Sequence, residues 1–143
     1  LRVFCEVDKQ VIFPMHPRTK KSIEKFGLQD MLSSKNIICV DPIGFFDTQC
    51  LIKNAFMCLT DSGGVIKETY FHKVPGIIID TQTEWIETVS EGWNILCGPN
   101  FEKIMYAIDH FTKPDIHTNC VGNGTAAAQI VEYLRKFLSK PNE

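Results

Sequence analysis

Five short apolar runs, each followed by a segment of helical periodicity, constrain the fold of this chain more than any other feature. Residues 11–13, 36–40, 56–59, 76–79 and 94–97 each read as a short strand buried on both faces. The helical patterns fall at 19–26, 45–55, 65–71, 84–90 and 101–111. Strands alternating with helices imply a parallel sheet with helices on both faces, because parallel neighbours need a long crossover between them. After Gly122-Asn123-Gly124 comes a last helix, in which Ala127, Ile130, Val131, Leu134, Phe137 and Leu138 recur every three or four residues as one apolar stripe. A chain of 143 residues, 44% hydrophobic and 22% charged, is enough for a single domain with a real core. Leu1-Arg2-Val3-Phe4-Cys5 reads as the tail of a helix, so the chain is expected to be part of something longer.

Several functions are set aside by the same residues. A net charge of -2 gives no general affinity for nucleic acid, and no apolar run approaches the roughly 18 residues of a membrane span. The six cysteines (5, 39, 50, 58, 97 and 120) form no CxxC pair and lie mostly in apolar runs, so they read as reduced core residues. The four histidines have no cysteines at ligand spacing, so neither a metal nor any other cofactor is expected. No export signal opens the chain, and a cytoplasmic location is expected. Gly122-x-Gly124-x-x-Ala127 matches a dinucleotide fingerprint only superficially, because residues 113–120 do not form the strand that must precede one.

Ligands of a parallel sheet gather at the carboxyl ends of its strands. The polar segments of this chain fall there: His16-Pro17-Arg18-Thr19, Asp41-Pro42-Ile43-Gly44, Thr60-Asp61-Ser62-Gly63-Gly64 and 80–84. The third is the best anion cradle. A helix starting at the glycines leaves its first N–H groups unpaired, its dipole adds positive charge, and glycine lets ligand oxygens come close. An ordinary turn, in which Asp61 or Ser62 caps the helix, stands beside this reading. Other positions also carry paired readings. Glu68 complements the helix dipole or binds a ligand, and His16 is a surface-loop residue or, with Arg18 and Lys20, part of a phosphate site. Glu84 belongs to a Thr81-x-x-Glu84 capping box or to the site. Phe45 and Phe46 are core or the wall of a base pocket, and Trp85 packs against the sheet.

Taken in order, Pro14-Met15-His16-Pro17-Arg18-Thr19, Thr60-Asp61-Ser62-Gly63-Gly64-Val65-x-x-Glu68, Thr83-Glu84-Trp85-Ile86-Glu87 and Gly122-Asn123-Gly124-Thr125-Ala126 resemble the C-terminal half of the non-hydrolysing UDP-N-acetylglucosamine 2-epimerases. The resemblance runs from about Val11 to Leu138. It implies that residues 1–143 form one UDP-binding domain, the second Rossmann-like half of a GT-B fold, with a UDP-sugar in the cleft and the N-terminal domain absent. It further implies a UDP-N-acetylglucosamine to UDP-N-acetylmannosamine epimerase that expels and re-adds UDP, a homodimer by kinship, and an isolated chain that is inactive because the acids and bases lie elsewhere. Ser62, Gly63 and Gly64 would hold the diphosphate and Glu68 the ribose. His16, Arg18, Phe45, Thr83 and Glu84 are further candidates, with no catalytic residue in this chain. A GT-B glycosyltransferase donor domain and a nucleotide-sugar sensor are the alternatives. The chain departs from the family pattern at Thr48, at Lys67, where an acid is common, and at Asp80 and Trp85, where arginines are common.

Overall fold

A computed structural model describes residues 1–139. In chain order the elements are α1 (Arg2–Glu6), β1 (Val11–Pro14), α2 (Pro17–Lys25), a 3-10 segment (Gln29–Ser33), β2 (Ile37–Val40), α3 (Phe45–Asn54), β3 (Cys58–Thr60), α4 (Gly63–Phe71), β4 (Gly76–Ile78), α5 (Ile86–Ser90), β5 (Asn94–Leu96), α6 (Phe101–His110) and α7 (Ala126–Leu138). All strand pairings are parallel, and the expected alternation of strand and helix holds.

The single sheet expected from the sequence is divided in two. β1 pairs with β2 (Val11 opposite Ile37), and β3, β4 and β5 form a second sheet in that order. Burial on both faces holds for β4 but not for β1 and β2, where Ile12 is 46% and Ile38 41% exposed. An apolar run encodes a strand, but pairing and cover are supplied by distant chain. The cysteines are likewise less buried than expected. All six are free, yet only Cys97 is buried, and Cys39 and Cys50 are exposed.

β4 shows why the centre of the second sheet is secure. Successive side chains point to opposite faces. Ile77 enters a cluster with Val3 of α1, Cys97, and Ile104 and Ala107 of α6, which places Ile78 toward the opposite face. Gly76 admits Asn94, whose Oδ1 lies 1.8 Å from where a Cβ would stand. Asn94 is 1% exposed; its Nδ2 donates to Ile66 O (3.3 Å), and Thr69 Oγ1 donates to its Oδ1 (3.2 Å). Two residues of α4 are thereby fixed to β5, which holds the amino end of α4 in place.

A second polar network ties residues 111–125 to the body. Tyr70, 0% exposed, donates to Glu91 Oε2 (2.7 Å) and accepts from Cys120 N–H (3.1 Å). Thr118 donates to Glu91 through its hydroxyl and its N–H, and Trp93 Nε1 donates to Ile116 O (2.9 Å). His117 stacks on Tyr70 with 4.1 Å between centroids. Burial, then hydrogen bonds with Cys120 and Glu91, push the Tyr70 phenol up to about 12, and bonds from Thr118 and Tyr70 hold Glu91 below the usual carboxylate range. Beyond this strap the apolar stripe of α7 stands uncovered, with Ile130, Val131, Leu134, Phe137 and Leu138 all exposed.

Candidate functional site

β3 runs through Thr60 into the amino end of α4, and the turn is locked by Thr60. Its Oγ1 accepts from Ser62 N–H at 3.0 Å. Ser62 occupies the N-cap position in extended conformation, but its side chain makes no capping bond. The expectation that Asp61 or Ser62 caps α4 is therefore not met; Thr60 fixes the turn through the N–H of Ser62 and leaves the helix end itself uncapped. α4 begins at Gly63, and its first backbone bond runs from Ile66 N–H to Ser62 O (3.0 Å). The N–H groups of Gly63, Gly64 and Val65 consequently carry no partner among the described residues, and they point out of the helix end. At Gly64 a Cβ would meet only Ser62 Oγ at 3.8 Å, so this side of the turn is open.

Glu68 is the sixth residue of α4 and is half-buried, with no side-chain bond among the described residues. That position lies beyond the first turn, where the helix dipole acts on charges, so dipole complementation does not account for it. In sequence it stands one turn after Val65, the last residue with an unpaired N–H, and its side chain carries only acceptors.

The other side of the turn is occupied by Trp85. Its Nε1 would stand 3.3 Å from a Cβ on Gly63, and Lys67 Nζ lies over its ring at 4.4 Å from the centroid. The indole thus sits on the first turns of α4. The Thr81-x-x-Glu84 capping box does not form either. Asp80 Oδ1 accepts from Thr81 N–H (2.6 Å) and Thr83 Oγ1 from Trp85 N–H (3.1 Å), so two side-chain turns use up the segment and α5 starts only at Ile86. Glu84 stays exposed.

The remaining candidates occupy other strand ends. His16 caps α2, its Nδ1 accepting from Arg18 N–H (3.2 Å). Phe45 and Phe46 open α3, 63% and 82% exposed and edge-to-face at 5.6 Å, so the core reading of both fails. No hydrogen bond or ring contact joins His16, Arg18 or Phe45 to the Ser62–Glu68 turn among the described residues, whereas Trp85 brings the Thr83-Glu84 segment against it. Sequence reasoning missed Thr60 as the lock of the turn and Trp85 as its wall. A threonine two residues before the N-cap was the available signal for the first. Among the described residues no group of three His, Cys, Asp or Glu is placed to hold a metal ion, and no helix is long and apolar enough to cross a membrane.

Parallel strands joined by helices, with an uncapped helix end at the carboxyl edge of β3, define a Rossmann-like α/β domain. The chain belongs to the family described as UDP-N-acetylglucosamine 2-epimerase, which matches residues 1–135. It is 42% identical over 139 residues to a UDP-N-acetylglucosamine 2-epimerase homolog of Methanococcus maripaludis, covering 96% of this chain and 39% of that protein. It is 44% identical over 129 residues to the UDP-N-acetylglucosamine 2-epimerase of Methanocaldococcus jannaschii, covering 89% and 35%. A crystal structure of the Methanocaldococcus jannaschii UDP-GlcNAc 2-epimerase in complex with UDP-GlcNAc and UDP superposes with a TM-score of 0.87 at 42% identity, over 94% of this chain and 38% of that one. The chain thus spans little more than a third of the length of these relatives.

Proposed function

We propose that this chain is the UDP-binding half of a UDP-N-acetylglucosamine 2-epimerase that interconverts UDP-N-acetylglucosamine and UDP-N-acetylmannosamine. The observation that carries the reading is the α4 turn, where the unpaired N–H groups of Gly63, Gly64 and Val65 stand one turn before the unpartnered carboxylate of Glu68. The N–H groups suit a diphosphate, and the carboxylate suits the paired hydroxyls of a ribose. In the reaction UDP leaves as the proton at C2 is removed, and it re-adds after a proton reaches C2 from the opposite face. The turn's contribution is electrostatic: its donors are oriented toward the departing diphosphate before the bond breaks. His16, Arg18, Phe45, Thr83 and Glu84 line neighbouring strand ends and complete the candidate set.

The acids and bases of the proton transfers belong to a preceding domain in this reading, so the 143-residue chain alone binds and does not epimerise. The sheets support an incomplete domain. Among the described residues each sheet leaves both outer edges unpaired, at β1 and β2 in one and at β3 and β5 in the other. Yet α1 touches both sheets, through Phe4 on Phe13 (5.2 Å) and Val3 beside Ile77. A further parallel strand between β1 and β3, crossing over through α1, would make one sheet of the two. The exposed stripe of α7 is the matching surface for a second domain. A cytoplasmic enzyme, assembled as a homodimer, fits the nucleotide-sugar substrate. Calorimetric titration of the intact protein with UDP tests the site: Ser62→Ala and Glu68→Ala each weaken binding, and wild-type affinity in both would refute it.

A further inference from the structure

Lys67 and Trp85 form a paired structure on the α4 turn that the diphosphate and ribose contacts leave unused. Lys67 lies four residues after Gly63 and three after Gly64, so it shares their face of the helix, and its stem tilts back toward the amino end. Its ammonium rests on the Trp85 indole, 4.4 Å from the ring centroid. The edge of that indole lies against Gly63, and its buried Nε1–H has no hydrogen-bond partner. A buried donor left unpaired calls for an explanation. Lys67 likewise has no carboxylate, because the ion pairs among the described residues are Arg2 with Glu6 and Lys136 with Glu132. A cation, an orphaned N–H and three free backbone N–H groups thus converge on one turn without an anion to balance them.

We propose that Lys67, held in place by Trp85, is the cation that takes the second phosphate of a nucleoside diphosphate at this turn and so makes it prefer a diphosphate to a monophosphate. The inference rests on the nucleotide reading of the α4 turn. Lys67 is the ligand-touching residue and Trp85 a positioning residue, which acts by fixing where the ammonium stands.

The test is calorimetric titration of the intact protein with UDP and, separately, UMP. Lys67→Met should weaken UDP at least about tenfold, the size of one charge-assisted contact, and change UMP by less than about twofold. Trp85→Ala should shrink the UDP-to-UMP ratio in the same way, and Trp85→Phe, which keeps a ring under the ammonium, should restore it. A merely structural loss would lower both ligands together and leave the ratio unchanged. The proposal is overturned if Lys67→Met keeps the wild-type ratio, whatever its absolute affinities. Glu68→Ala separates the two ideas. If it weakens both ligands while Lys67→Met is neutral, the site stands and this inference falls; if the folded wild type binds neither ligand, the nucleotide reading itself falls.

Discussion

Gly64→Ala separates ligand binding from folding at the proposed site. In the structure an added Cβ meets only Ser62 Oγ at 3.8 Å, an ordinary van der Waals contact, and the residue stands in the first turn of α4 with no need of a left-handed backbone. Alanine is the better helix former, by about 0.5–1 kcal/mol in a helix interior and less in a first turn, so the variant should be as stable as wild type or slightly more so. A bound diphosphate would meet the methyl group at the open side of the turn. Loss of one or two charge-assisted N–H contacts costs about 2–3 kcal/mol, or roughly a 30- to 150-fold larger dissociation constant. Thermal melts with and without UDP show both effects together. At UDP equal to about 100 times the wild-type dissociation constant, ligand stabilises wild type by about 2.7 kcal/mol, and a variant weakened 100-fold by only about 0.4 kcal/mol. A variant that folds normally and still gains the full UDP stabilisation would refute the claim that ligand approaches over Gly64.

Two further outcomes concern the scaffold. Gly76→Ala places a Cβ 1.8 Å from Asn94 Oδ1, so Asn94 must turn away from Thr69 and Ile66; denaturant melts should show a loss of about 2–4 kcal/mol, partly recovered in the Gly76→Ala, Asn94→Ala double variant. The Tyr70 and Glu91 network makes stability depend on pH at both ends. The folded pKa of Glu91 is depressed, so its contribution is present above the ordinary carboxylate range and is lost as pH falls through the folded value. That of Tyr70 is raised to about 12, so its contribution is full below about 10 and is lost as pH rises toward 12. Melting curves across pH should show both losses, with Glu91→Gln flattening the acid limb.

The sequence carried element type well and element partnership poorly. β4 is legible because Gly76 and three isoleucines follow Pro75, and α7 because its stripe repeats along more than three turns. The division into two sheets is not legible, since pairing is a relation between distant segments that no local run encodes. The start of α5 was misread for a different reason. Thr81-x-x-Glu84 satisfies the capping pattern locally, but Asp80 and Thr83 spend their oxygens on earlier N–H groups and the helix begins two residues late. At the candidate site the glycines, Ser62 and Glu68 were readable because strand, turn and helix follow one another directly. Trp85 was not, because its contact with Gly63 crosses 22 residues. The strap from Tyr70 to Cys120 was hidden for the same reason, spanning 50 residues.

The central claim, that the α4 turn grips the diphosphate of a UDP-sugar, is met most directly by a crystal structure of the intact protein with UDP. The diphosphate should lie about 3 Å from the N–H groups of Gly63 and Gly64, with Glu68 accepting from the ribose hydroxyls. UDP seated at the amino end of α2 or α3, with the Gly63-Gly64 turn facing only water, would contradict it.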